Sequence, residues 1–409
     1  MQGRDEGVET SDPGPTPTLQ ELARRMRIAS FPVARDTRPL ARARSRLTSR
    51  TSRRRFRSKH TTTSNMFTVA YGPDSTALAG FVRTFVALAH AYYVLCIAFG
   101  ALAFVPEPVA TRMPRILQIF RNVLLNSVGR GKTYDHKSAL RLGKGLNGIV
   151  KQLLSASVPK RWFSHLYHVA VCWNFACLCL LCFSCACLPE ATNVTKLLAT
   201  LGHRNAIVAL ACVQLHVSRR LYENYFVHAH SSEGRMQLFG YAFGLLYYVF
   251  LPANFFTPGV VRSLDLGRAC APDFSHFEQV FRGTFGPLEL TFFGVFLFGN
   301  LMQYQSHVML ASLRTKKGGA DSAGAKGKGR YKIPEGFWFA YLSNPHYLAE
   351  VVLYVGFISL AKSWNRETGL LIVMLVMNLL LSAMMTHQWY KEIFRNYPKK
   401  RYAMFPLII

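Results

Sequence analysis

The sequence predicts an all-α, polytopic membrane protein with about seven transmembrane helices. Three observations lead there. Half of the 409 residues are hydrophobic and only 17% are charged. The apolar residues come in runs, several of them near the 20 or so helical residues that a bilayer core requires. The basic residues collect in an N-terminal tail and in the loops between runs, as they do on cytoplasmic membrane faces. A soluble chain of this length would divide into about two or three domains, and the runs argue against that. The formal charge of +28 would suggest nucleic acid in a soluble protein. Its confinement to tail and loops removes that reading, and no nucleic-acid partner is expected.

Residues 1–65 read as a disordered basic tail. They open with Pro, Gly, Asp and Glu and then turn Arg/Ser/Thr-rich, with Arg53, Arg54 and Arg55 in succession. Such a segment buries too little apolar surface to offset its ordering entropy. An Arg-rich, acid-poor N-terminus also suits a transit peptide, or an extension ahead of a start at Met66. Residues 66–409 are expected to form one membrane domain.

The expected spans are 76–105, 163–188, 206–227, 236–256, 285–310, 347–361 and 369–385. Arg219 and Arg220 interrupt the third, and the sixth is short. A Gly/Lys/Ala-rich segment from Lys316 to Arg330 is flexible by composition. The loops 106–162, 217–235 and 311–346 are basic, as is the C-terminal tail with Lys399, Lys400 and Arg401. The positive-inside rule places all four in the cytosol. The N-terminal tail then falls outside although it is the most basic segment; a tail lost from the mature protein, or a first span that does not cross, removes the conflict. Asn193-Val194-Thr195 is a glycosylation sequon in an expected lumenal loop.

Nine cysteines do not form a disulfide framework, because Cys172, Cys177, Cys179, Cys182, Cys185 and Cys187 share one apolar run. They read as small apolar side chains. No His or Cys pair elsewhere completes a zinc pattern, and no metal is expected.

Chemistry is expected where polar groups interrupt apolar runs, because such groups are costly in a bilayer and mark sites. The chain has no Gly-x-Gly-x-x-Gly after a strand and no Walker loop. A nucleotide cofactor would need a membrane-embedded site with Arg and Lys for its phosphates, and Arg219, Arg220 and the basic loop before Tyr331 supply them. Each also reads as a positive-inside anchor. His216 and Arg220 share a helix face, with Glu223 close to it. Glu350 lies inside an apolar run and needs a partner. His387 and Tyr390 stand one turn apart at a span end; an interfacial histidine and an aromatic-belt tyrosine are the plain alternatives.

The C-terminal block resembles the steroid 5α-reductase family. The matching pieces are Arg330-Tyr331-Lys332-Ile333-Pro334, Phe339-x-Tyr341-x-Ser343, Leu348-x-Glu350, His387-x-x-Tyr390 and Tyr397-Pro398-Lys399-x-Arg401. It is most similar to the polyprenal (polyprenol) reductase branch. That branch is matched by Gly131-Lys132-Thr133, by the run from Val158 to Tyr167, by Leu215-His216-x-x-Arg219-Arg220-Leu221-Tyr222-Glu223, and by Tyr304-x-x-His307-Val308-x-Leu310-x-x-Leu313-Arg314. The likeness covers residues 116–409, with the reductase-like block at about 204–409.

The resemblance implies an endoplasmic-reticulum enzyme that uses NADPH to reduce a carbon–carbon double bond conjugated to a carbonyl. For this branch the substrate is the α-isoprene unit of polyprenal, a long-chain polyprenoid lipid on the route to dolichol and protein N-glycosylation. It matches His387 to the branch's C-terminal histidine and Tyr390 to a position near the cofactor, and both are expected to be catalytic as donors in place of the steroid-type pair. It implies cofactor binding by Glu350, Arg220, Arg219, His346, Tyr341 and Arg314, and substrate contacts at His165, Tyr167 and His216. Two departures stand out. His346 occupies a position that is usually Asn, and His165-Leu166-Tyr167 with the His216–Arg219 region replaces the steroid-type Gln-Glu pair and Tyr.

Hydride adds to a carbon–carbon double bond only where the resulting carbanion is delocalised. An enal provides that sink and an allylic alcohol does not, so polyprenal is the expected substrate. A steroid enone or an enoyl thioester would undergo the same chemistry. A scaffold or a transporter would leave the polar clusters on one cytosolic face unexplained, and the motifs fit a methyltransferase of prenylated proteins less well.

Overall fold

The computed structural model describes residues 77–128, 156–186, 194–228, 234–266, 285–315 and 332–408, without the side chains of 126, 194–201, 265–266 and 314–315. All of them belong to one compact unit, Ala70–Ile409. The basic tail, Gly131-Lys132-Thr133, Asn193 of the sequon and the 316–330 loop lie outside the described residues.

The protein is an all-α polytopic membrane protein. Its first helix, α1 (Ala77–Ala103), shows why. Ala79, Val82, Phe85, Ala89 and Tyr93 recur every three or four residues and are buried, while Phe81 and Leu88 on the other side are 59% and 55% exposed. Large apolar groups facing outward would be a liability in water; in lipid they are what a spanning helix needs. A one-turn helix (Glu107–Ala110) leads to α2 (Arg115–Val128). Then come β1 (Ser157–Pro159), α3 (Phe163–Ala186), α4 (Val194–Phe226), β2 (Arg235–Gln237), α5 (Leu238–Phe250), α6 (Pro258–Leu266), α7 (Pro287–Thr315), α8 (Pro345–Leu360) and α9 (Arg366–Ile393). The strands pair antiparallel, Val158 opposite Met236, and tie the start of α3 to the start of α5.

Among the described residues, four helical segments are long and apolar enough to cross a membrane: Ala77–Ala103, Lys160–Ala186, Leu238–Phe255 and Arg366–Ile393. They match the first, second, fourth and seventh expected spans. The other three differ for physical reasons. Helices α4 and α7 have 33 and 29 residues, ample length for about 30 Å of hydrocarbon, but polar side chains crowd their C-terminal halves. Helix α8 has 16 residues, about 24 Å at 1.5 Å per residue.

Helices α7 and α8 pack backbone to backbone. A Cβ at Gly356 would lie 2.7 Å from Phe296 N, and one at Gly299 would lie 2.8 Å from Leu353 N. Only glycine permits this approach, and it brings the polar stripe of α7 against that of α8. Helix α9 starts with a capping box between Asn365 and Thr368. The chain after α9 folds back, so that Ser343 N donates to Tyr402 O at 2.8 Å and Tyr402 N to Tyr341 O at 3.0 Å. The described cysteines are free; Cys177 and Cys185 are buried, and Cys172 and Cys179 face outward.

Candidate active site

Three helices present polar stripes to one another. On α4, His216, Arg219, Arg220, Glu223 and Asn224 recur at helical spacing and share a face. On α7, Asn300, Gln303 and His307 do the same, and on α8, His346, Glu350 and Tyr354.

Glu223 is the hub. It is fully buried and accepts hydrogen bonds from Arg219 NH1 and Arg220 NH1, while His307 Nδ1 lies 2.8 Å from its Oε2. Arg219 also donates from Nε to Asn300 Oδ1 at 2.9 Å and from NH2 to Gln303 Oε1. Arg220 donates from NH2 to the Tyr167 hydroxyl at 2.7 Å, with its guanidinium carbon 5.1 Å from the centre of that ring. Gln303 passes the network on, donating from Nε2 to Glu350 Oε2. His216 Nε2 lies 3.4 Å from Glu350 Oε1, close enough for an ion pair but not aligned as a hydrogen bond, so this buried nitrogen has no hydrogen-bond partner. The two guanidinium charges balance the two carboxylates. A buried charge without a partner costs several kcal/mol, which explains why these side chains occur together.

This network forms one wall of a cavity of about 320 Å³. Its polar lining is Lys160, Arg220, Asn224, His228, His307, His346 and Glu350. Its apolar and aromatic lining includes Phe163, Leu166, Phe243, Tyr247, Met374 and Leu375. Ser343, Asn344 and Tyr390 line it where the C-terminal tail closes over α9.

Glu223, His228 and His307 are near enough together to offer three metal donors. Their environment does not suit a cation, because both oxygens of Glu223 are taken by guanidinium groups and Arg220 NH1 lies 2.6 Å from His307 Nδ1.

The cavity brings together Tyr167, Arg220, His346, Glu350 and Tyr390 of the residues expected from sequence. Arg219 and His216 stand directly behind the wall. His387 does not line the cavity: its Nδ1 is 2.6 Å from Ser343 Oγ, which is also 2.6 Å from the Tyr397 hydroxyl. His165 is exposed, 3.1 Å from the Tyr241 hydroxyl and packed on Trp162. Tyr341 is 66% exposed. Arg314 lies on α7, with its side chain outside the described residues. Sequence reasoning did not place Gln303, Asn300, Ser343 or the aromatic wall of α5. The spacing of Asn300, Gln303 and His307 within an apolar helix was the available signal.

Residues 273–409 match the family described as 3-oxo-5-alpha-steroid 4-dehydrogenase. Among individual proteins, the chain is 32% identical over 279 residues to the polyprenal reductase of Caenorhabditis elegans, covering 64% of this chain and 82% of the relative. It is 31% identical over 262 residues to that of Homo sapiens, covering 61% and 78%. It is 29% identical over 322 residues to polyprenal reductase 1 of Arabidopsis thaliana, covering 75% and 93%. A buried charge network on three helices beside a half-polar, half-apolar cavity, together with these likenesses, makes the chain an oxidoreductase that belongs to the steroid 5α-reductase family, in its polyprenal reductase branch.

Proposed function

We propose that the protein is an NADPH-dependent polyprenal reductase of the endoplasmic-reticulum membrane, saturating the α-isoprene double bond on the route to dolichol and protein N-glycosylation. The observation that carries this reading is one cavity lined both by cationic and imidazole groups and by apolar and aromatic side chains, with Glu350 among them. A dinucleotide and an isoprenoid need those two environments side by side. Residues 66–409 form the reductase domain, and the basic loops and C-terminal tail face the cytosol, where the cofactor is available.

The residues present fit a nicotinamide cofactor. The carboxylate of Glu350 lines the cavity and offers the acceptor that a carboxamide N–H requires, with His216 Nε2 behind it at 3.4 Å. Arg220 and Lys160 suit its phosphates. When bound, the cofactor supplies a hydride. The protein has three further tasks. Arg219 and Gln303 hold Glu350 and Arg220 in place through Glu223 and direct hydrogen bonds. Tyr390 is placed on the cavity wall to stabilise negative charge on the aldehyde oxygen, a contribution that is large in a water-poor site. Phe163, Leu166 and Phe243 receive the isoprenoid and exclude water.

The test is a binding and turnover experiment on the purified protein in lipid nanodiscs. NADPH fluorescence should report saturable binding, and polyprenal should oxidise NADPH with the α-saturated aldehyde as product. Binding without polyprenal-dependent oxidation would overturn the reading.

A further inference from the structure

The reduction consumes a proton as well as a hydride, and the proton must reach a cavity surrounded by helices. We infer that Ser343 is the proton donor to the substrate carbon and that His387 recharges it from the aqueous boundary. This rests on the function proposed above.

A serine hydroxyl has one donor and two acceptor lone pairs. Ser343 is 2% exposed and lines the cavity. Its Oγ has two neighbours inside the protein, His387 Nδ1 and the Tyr397 hydroxyl, each at 2.6 Å. With the Nδ1–H tautomer of His387 and the Tyr397 hydroxyl both donating, the two lone pairs of Ser343 are filled. Its own proton is then the one left to point at a third partner, and the cavity is the side that remains.

The surroundings hold this arrangement. Ser343 N donates to Tyr402 O. Asn344 Nδ2 donates to Ala383 O and Ala403 O at 3.2 and 3.1 Å, pinning the turn to α9 and to the C-terminal tail. Tyr397 is clamped between the stacked ring of Tyr390, 5.2 Å away and 5° from parallel, and the Arg401 guanidinium, 5.3 Å from its centre. The outer end of the relay reaches water. His387 is half-buried, and its helix neighbours Gln388, Lys391 and Glu392 are polar and outward-facing, with Gln388 Nε2 donating to Glu392 Oε1 at 2.9 Å.

The step balances. Hydride from the reduced nicotinamide adds to C3 of the enal, and the π pair moves through C2 to the aldehyde oxygen. The Ser343 proton then goes to C2, forming the second C–H bond and restoring the C=O. His387 Nδ1–H passes its proton to Ser343 as this happens, and Nε2 takes one from water. The substrate gains two electrons and two hydrogens, the nicotinamide loses two electrons, and the serine never carries a full charge. Ser343 is therefore a catalytic residue, and His387 and Tyr397 are positioning residues acting through it.

The test compares Ser343→Ala, Ser343→Thr, His387→Gln and Tyr397→Phe in nanodiscs, with turnover normalised to folded protein. Ser343→Ala should lose about 100-fold or more in kcat, the usual weight of a positioned acid, while the NADPH dissociation constant read by fluorescence stays within about twofold. Its solvent deuterium isotope effect should exceed that of the wild type, because protonation becomes rate-limiting. Ser343→Thr, which restores the hydroxyl, should recover most of the rate. His387→Gln keeps a hydrogen-bond donor but cannot relay a proton, and should lose turnover with unchanged cofactor binding. Tyr397→Phe should lose less. A rate within about threefold of wild type in Ser343→Ala, or a loss matched by lost NADPH binding, overturns the relay. If Ser343→Ala does not fold, near-wild-type turnover in His387→Gln does the same. A wild-type protein that binds NADPH but leaves polyprenal unreduced overturns the functional reading itself; an active wild type with an unaffected serine variant overturns only the relay.

Discussion

Replacing Glu223 by Gln tests the charge network most sharply. The substitution keeps the shape of the side chain and removes one negative charge from a fully buried position. Two guanidinium groups then face one remaining carboxylate, Glu350, and His307 loses its acidic neighbour. Breaking a buried pair on one side costs about 3–5 kcal/mol, a large part of the roughly 5–15 kcal/mol that holds a folded protein together. By the scaling for domains of 150–250 residues, the midpoint of thermal unfolding should fall by about 6–20 °C. Glu223→Gln combined with Arg219→Gln restores neutrality and should recover part of the loss. The assay is thermal unfolding in detergent followed by circular dichroism. A shift below about 2 °C, or a double variant less stable than the single one, would refute the reasoning.

Glu350 faces the cavity, so Glu350→Gln should act on ligand binding: losing a charge-assisted hydrogen bond, about 1.5–3 kcal/mol, should weaken NADPH affinity roughly 10- to 150-fold, and unchanged affinity with reduced turnover would contradict that role. Gly356→Ala places a methyl group 2.7 Å from Phe296 N and 2.9 Å from Phe296 Cα, where backbone cannot yield; overpacking should cost about 1–3 kcal/mol, read as a lower unfolding midpoint. His165→Ala removes an exposed side chain outside the cavity and should leave turnover per folded enzyme within about threefold of wild type; a larger loss would bring His165 into the site.

Much of this architecture was legible in the sequence because lipid imposes simple demands. The runs behind α1, α3, α5 and α9 have the length and apolarity that a bilayer requires. The ionisable interruptions at Arg219, Arg220 and Glu350 pointed to the site, since groups that costly occur together or not at all. Pairing was the part that could not be read. Glu350 was expected to await a partner, and the structure supplies Gln303 and His216 from two other helices. Sequence spacing put His387 and Tyr390 on one site because they are a helical turn apart. One turn also rotates a side chain by about 60° relative to a partner three residues on, and here Tyr390 lines the cavity while His387 turns to Ser343. The antiparallel β1–β2 pair was missed because three residues carry too little alternation to register as a strand. Gly299 and Gly356 have no local signature, since their role appears only when two backbones meet.

We propose above all that a conjugated isoprenoid aldehyde is the substrate of this cavity. The most direct test supplies the purified protein and NADPH with polyprenal, polyprenol, an enone steroid and an enoyl thioester in parallel, measuring NADPH oxidation and the saturated product for each. Polyprenal should be reduced with the highest kcat/KM, and polyprenol, which has no carbonyl to accept the charge, should not react. Reduction of polyprenol at a comparable rate, or a clear preference for the steroid or the thioester, would contradict the claim.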